Sequence, residues 1–209
     1  MKELNGEAGM LLRFSGRHIE RARAHACAMF EARSRVFVGR RGWRALARPD
    51  GLERDAADGP AAEYLLLLGP DRGIVAGLRL LPTRAARPVT CVDAALVAGL
   101  DLPCGPEIRE LTRFFVLKGQ GPPGAVRDRL LNGLFAHCRQ RGVARLLATI
   151  DAGLLGHFRR IGLAMTAIGA PFAFAEGRAI VVLVTVPSIG PAVTFLDVPV
   201  GRDLDDVAR

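Results

Sequence analysis

Arginines, carboxylates and aromatic rings in two short clusters are the groups of this 209-residue chain best suited to chemistry. The first cluster is Arg33, Phe37 and Trp43, followed by Glu53, Asp55 and Asp58. The second is Glu110, Arg113 and Phe114, reached after an isolated Arg79. Each charge is set in or beside apolar sequence, where an unpaired ion costs several kcal/mol, so each calls for a partner or a ligand. Phe37 and Trp43 offer ring faces that attract a cation; turned inward, the same rings would fill a core. Glu53, Asp55 and Asp58 form the dense acidic group of a basic chain. They lack the glycine and ligand order of a calcium loop, which leaves a cationic substrate or a solvated loop. Glu110 has the chemistry of a general base.

The elements that must position these groups follow from periodicity. Residues 19–38 have helical spacing, with Ala26, Met29, Phe30, Arg33 and Phe37 near one face. Residues 40–60 are polar and turn-rich, a surface loop of the length that carries function or moves. Strands are expected at 64–68 and 74–81, the second containing Arg79, and at 108–117. A helix at 126–141, a strand at 145–150, a short helix at 153–161 and a strand at 179–186 that closes the sheet complete a three-layer α/β/α domain. One domain spans 1–209, its first 20 residues without a readable pattern and 201–209 a polar tail. Strict alternation puts Glu110 and Arg113 on opposite faces of their strand. They share a pocket only if the strand bulges, as strands do beside active sites. A buried ion-pair network joining Arg79, Glu110 and an aspartate is the structural alternative.

Composition narrows the class. The net charge of +8 rests almost wholly on arginine, Lys2 and Lys118 being the only lysines. It suits an acidic partner, or reflects arginine usage alone. A nucleic-acid binder would interleave arginines with exposed aromatics; here aromatics are 6% and lie mostly in apolar stretches. Cys27, Cys91, Cys104 and Cys138 have no zinc-site spacing. Free thiols in a reducing cytoplasm, and no metal, are expected. Residues 179–196 are uncharged, but Pro187, Gly190 and Pro191 break them, so they read as a strand and loop and not a membrane span. The 119–124 loop lies where an N-acetyltransferase grips a pyrophosphate. It lacks the required spacing, and Pro122 and Pro123 remove two donors, so an ordinary turn is expected.

Taken in order, the clusters resemble the acyl-homoserine lactone synthases, the bacterial autoinducer synthases of quorum sensing. The family pattern of Arg-x3-Phe-x5-Trp, Glu-x-Asp-x2-Asp, a strand-borne Arg before Leu-Pro-Thr, and Glu-x2-Arg-Phe is matched by Arg33, Phe37 and Trp43; Glu53, Asp55 and Asp58; Arg79 before Leu81, Pro82 and Thr83; and Glu110, Arg113 and Phe114. The likeness runs from about residue 25 to 118. It departs at Gly162-Leu163, where the family often has Gly-Trp, and at Ala148, where a threonine linked to 3-oxo chains often stands, with Thr149 adjacent.

The resemblance implies an N-acetyltransferase-like fold with a mixed, V-splayed central sheet. It also implies a reaction in which the S-adenosylmethionine amine attacks an acyl thioester, after which a lactone closes and 5′-methylthioadenosine leaves. S-adenosylmethionine would be co-substrate, with no prosthetic group. By the same resemblance Glu110, Arg113 and Asp58 would carry the chemistry. Arg33, Phe37, Trp43, Asp55, Asp58, Arg79 and Phe114 would hold the co-substrate, and Phe115, Leu147 and Ala148 would line the acyl pocket. The donor would be an acyl-carrier protein or acyl-coenzyme A, with Arg159 and Arg160 either docking charges or a solvated basic face. An ordinary acetyl-coenzyme A-dependent N-acetyltransferase is the rival enzyme, against which the poor pyrophosphate loop and the acidic 53–58 segment count.

Overall fold

The run Glu63–Leu68 and the run Ile74–Pro82 are apolar on both faces, the pattern of strands covered from both sides. In the computed structural model, which describes residues 10–83, 94–119, 124–174 and 177–198, both are inner strands. In chain order the sheet is built from β1 (Met10–Ser15), β2 (Glu63–Leu68), β3 (Ile74–Pro82), β4 (Ile108–Val116), β5 (Arg145–Asp151), β6 (Met165–Phe174), β7 (Gly177–Thr185) and β8 (Phe195–Asp197). Its spatial order is β6-β7-β5-β4-β3-β2-β1-β8. The β4–β5 and β1–β8 pairs are parallel and the others antiparallel, so the sheet is mixed.

Among the described residues, three α-helices cover the two faces. In α1 (Arg23–Arg33), Ala26, Met29 and Phe30 fall on one stripe and pack on Leu12, Phe14, Tyr64, Leu66 and Phe115. In α2 (Ala125–Gln140), Leu130, Leu134 and Cys138 recur every four residues and pack on the opposite face, against Leu65, Leu78, Leu80, Leu146 and Val182. Each fully buried side chain of leucine size contributes about 1.5–3 kcal/mol, so both helices are held by their sheet contacts. The short α3 (Leu155–Arg160) lies on the α2 side through Leu155. Beyond β4, residues 97–102 cover Ile108, Leu147 and Val181 on the α1 side.

The β4–β5 ladder is short. It joins only Ile108 through Leu111 to Arg145 through Ala148, yet β4 runs on to Val116 and β5 to Asp151. The two strands therefore part and open a V in the middle of the sheet, as the resemblance implied.

Several expected boundaries are corrected. Met10–Ser15, within the stretch that showed no pattern, is a strand because Leu11 and Leu12 bury against opposite helices. The strand expected to close the sheet is β7, and it is internal, as buried Ile180, Val181 and Val182 require. Its outer neighbour β6 was not expected, because Gly169 and Pro171 interrupt its pattern; they sit at a bulge between Ile168 and Phe172. The expected 19–38 helix is α1 followed by a widened π-helical stretch, Ser34–Arg40. Of the 119–124 turn only Gly119 and Gly124 lie among the described residues, and Cys91 and the 201–209 tail lie outside them.

Candidate active site

The bulge that the sequence required is present in β4. Gly77 pairs with Phe115 and Arg79 with Thr112, so Leu78 alone faces Arg113 and Phe114. Arg113 takes the left-handed backbone at φ 51, a conformation that costs about 1–3 kcal/mol in a bulky residue. The extra residue brings Arg113 to the side of the strand that carries Glu110 and Thr112. Gly77 makes the crossing possible, since a Cβ there would lie 2.7 Å from Leu66 Cδ2 and 2.9 Å from the Phe115 ring.

Arg113 is held there by carboxylates from the 53–58 segment. Its Nη2 donates to Glu53 Oε1 at 3.0 Å and to Asp55 Oδ2 at 2.8 Å. Arg33 bonds Glu53 through Nε and grips Asp58 with both terminal nitrogens, at 2.8 and 3.0 Å. Arg79 grips Asp55 likewise at 2.6 and 3.0 Å, donates from Nε to Thr112 Oγ1 at 3.0 Å, and lies 2.8 Å from Asp58. Tyr64 donates its hydroxyl to Asp58 at 3.0 Å. Three guanidiniums thus meet three carboxylates, and of the six side chains only Asp55 has appreciable exposure, 29%.

Burial alone pushes the Asp55 and Asp58 carboxyls up. Hydrogen bonds and charge from Arg79 at Asp55, and from Arg33 and then Arg79 at Asp58, outweigh it and hold both below the usual carboxylate range. Burial and the Asp58 charge push the Tyr64 phenol up, so it stays a donor.

Beside this network a cavity of about 360 Å³ opens at the β4–β5 V. Phe37, Arg41 and Trp43 form one wall; Glu110 through Phe114 and Ala148 through Asp151 form its floor; Leu154, Phe158, Phe174 and Arg178 enclose the rest. The π-helical stretch places the aromatic wall. Trp43 N–H bonds Phe37 O at 2.9 Å, and the two rings stack with centroids 5.3 Å apart and planes 23° apart. Such widened turns recur at functional sites. Glu110 is 1% exposed and Arg113 has its guanidinium carbon 5.6 Å from the Phe37 ring centre. Thr149 Oγ1 is buried in the wall with no hydrogen-bond partner among the described residues.

Of the anticipated residues, Glu110, Arg113, Phe114, Phe37, Trp43 and Ala148 line this cavity together. Arg33, Arg79, Asp55 and Asp58 do not; they form the charged support behind Arg113. Phe115 is also outside it. The bulge turns Phe115 under α1, among Leu66, Phe30 and Phe37. Leu147 is covered by Leu100, Leu102 and Phe172. Arg159 and Arg160 are both exposed, and Arg159 also donates Nε and Nη2 to Met165 O at 3.2 and 3.0 Å. Arg41, Asp151, Phe158 and Phe174 went unanticipated, since nothing in their local sequence marks them and tertiary structure alone brings them to the cavity. Among the described residues no group of His, Cys, Asp and Glu is arranged to hold a metal, and no helix is long and apolar enough to cross a membrane.

Comparison with known proteins agrees with this geometry. The chain is 34% identical over 142 residues to an isovaleryl-homoserine lactone synthase of Bradyrhizobium diazoefficiens, a match covering 68% of this chain and 64% of the relative. It is 34% identical to an acyl-homoserine-lactone synthase of Ralstonia nicotianae, over 65% of this chain and 70% of that one. The fold superposes on BjaI, a CoA-dependent acyl-homoserine lactone synthase solved with SAM and isopentyl-CoA. The TM-score is 0.77 and the identity 28%, covering 86% of this chain and 84% of that one. Residues 17–189 match the family described as autoinducer synthase, and with the splayed N-acetyltransferase-like sheet around them the chain belongs to that family.

Proposed function

We propose that this chain is an acyl-homoserine lactone synthase that joins the acyl group of a thioester to S-adenosylmethionine. The observation that carries the reading is the cavity in the β4–β5 V. It brings a buried carboxylate, a stacked aromatic pair and a strand edge released from its ladder to one place.

The α-amine of an amino acid has a reference pKa near 8, so at neutral pH it must lose a proton before it attacks. Glu110 takes that proton. The amine nitrogen bonds to the thioester carbon, and the negative charge that develops on the carbonyl oxygen is met by backbone N–H groups of β4. Past Leu111 these have no ladder to β5, and the donors nearest Phe114 are the candidates. The thiol leaves with a proton. The methionine carboxylate then attacks its own γ-carbon; the carbon–sulfur bond breaks, the sulfonium becomes a neutral thioether, and methylthioadenosine departs. Arg113 is the member of the charged network in the cavity wall, so orientation of that carboxylate falls to it. Arg33, Arg79, Asp55 and Asp58 act one step removed, by fixing Arg113.

The acyl chain lies along the apolar floor made by Leu111, Phe114, Ala148 and Ile150, with the Thr149 hydroxyl available to a polar atom of the chain. Phosphopantetheine is common to acyl-carrier protein and acyl-coenzyme A. The likeness to BjaI, described as CoA-dependent, supports the coenzyme; exposed Arg160 supports an acidic carrier. A cytoplasmic location is part of the same proposal, supported by where S-adenosylmethionine and acyl thioesters are made. Release of methylthioadenosine from purified protein with a panel of acyl-coenzyme A and acyl-carrier donors tests the reaction and names the donor. Glu110→Gln should lower that rate about 10²–10⁴-fold while the protein still binds S-adenosylmethionine. A fully active variant would remove Glu110 from the role of base.

A further inference from the structure

Phe174 ends β6, the outer strand at one edge of the sheet, and its ring reaches Trp43. The centroids are 5.6 Å apart and the planes perpendicular, while Trp43 stacks on Phe37. All three rings line the same cavity. They come from separate places: the π-helical stretch after α1, the loop that follows it, and the end of an outer strand. The bulge in β6 adds two residues against β7 between the Ile168–Val181 and Phe172–Ala179 pairs, bending the strand end that carries Phe174. The ring faces already attract cations, with Arg41 centred 6.0 Å from Phe37 and 5.7 Å from Trp43, and Arg113 5.6 Å from Phe37. Glu110 and Asp151 supply negative charge around the same cavity.

Resting on the S-adenosylmethionine reading above, we infer that Phe174 completes a three-walled aromatic enclosure that recognises the sulfonium and distinguishes it from a neutral thioether. A sulfonium is a soft, weakly hydrated cation whose positive methyl and methylene groups suit ring faces, as quaternary ammonium groups do. The product is a thioether without that charge. The wall that holds the substrate therefore loosens when the carbon–sulfur bond breaks, favouring release of methylthioadenosine. Arg41, exposed at the lip, lies over the same rings and yields its place to the ligand.

The test is calorimetric binding of S-adenosylmethionine and of S-adenosylhomocysteine, which keeps the adenine, amine and carboxylate but carries a neutral sulfur. The intact protein, without acyl donor, is compared with Phe174→Leu and Phe174→Tyr. The unmodified protein should prefer the sulfonium. Leucine should cut that preference about 2- to 30-fold by weakening S-adenosylmethionine alone, and tyrosine should keep it. Equal weakening of both ligands by leucine would make Phe174 a space-filler and overturn the inference. Equal affinities in the unmodified protein would overturn it too, leaving the synthase reading intact. A protein that binds neither ligand would overturn both.

Discussion

Around β3 and β4, Arg33, Arg79 and Arg113 meet Glu53, Asp55 and Asp58 with every guanidinium side chain at most 8% exposed. At the far edge of the sheet Arg13 of β1 meets Asp197 of β8, and those side chains are 26% and 60% exposed. The chemistry of the two pairings is the same. At the edge, water solvates both partners whether or not they meet, so the pair is worth little. In the interior, desolvating six charges is expensive, and only their mutual hydrogen bonds recover it. Apolar side chains of similar volume would fill that space at lower cost. What they would not supply is a fixed guanidinium in the cavity wall, carried by a bulge residue with left-handed backbone. The burial difference thus separates a network that sets a site from a pair that fastens an edge strand.

The sharpest way to break this contrast is to remove one interior charge. Asp58→Asn removes the charge that faces Arg33 and Arg79, leaves Arg33 Nη2 and the Asp55 N–H without their acceptor oxygen, and should destabilise the protein by about 3–5 kcal/mol. Chemical denaturation reads this directly. A loss under 1 kcal/mol would mean that the interior pairs are as dispensable as those at the edge.

That network shows where legibility from sequence ends. The residue types and order of Arg33, Glu53, Asp55, Asp58, Arg79 and Arg113 were legible, because charges in apolar sequence demand partners. Their pairing was not, since the partners are 20 to 60 residues apart. The bulge was legible as a condition, because strict alternation kept Glu110 and Arg113 apart. Its consequence for Phe115 was not: one inserted residue moves Phe115 from the expected acyl wall to the core under α1. The inner strands were legible from uninterrupted apolar runs. β6 was not, because Gly169 and Pro171 are signals of a loop until a bulge accommodates them. Phe174 carries no local mark at all; the bulge and hairpin alone bring it to Trp43.

Acid sharpens the comparison with a smaller perturbation. Asp55 and Asp58 titrate below their unfolded values, so their contribution is complete above the ordinary carboxylate range and is lost as pH falls through the depressed folded values. The melting temperature should stay level from about pH 7 to 5 and fall below about pH 4. In Asp58→Asn the fall should be shallower, because one of the depressed carboxyls is gone. Parallel acid profiles for the two proteins would show that other groups govern acid stability.

The smallest effect is expected at the edge. Arg13→Ala removes the pair with Asp197, a hydrogen bond to Gln140 at 2.7 Å, and the stacking of the guanidinium 4.6 Å over Phe195. All three partners remain able to meet water, so no buried charge is orphaned. The expected cost is about 0.2–1 kcal/mol with unchanged methylthioadenosine release. Three strands of the sheet, β3, β2 and β1, lie between the cavity-lining β4 and β8, so a solvated contact cut on the rim is remote from the site. A loss of activity in Arg13→Ala, at equal stability, would instead mean that the edge and the cavity share one cooperative element, and that exposure is the wrong measure of what separates the two sets of charges.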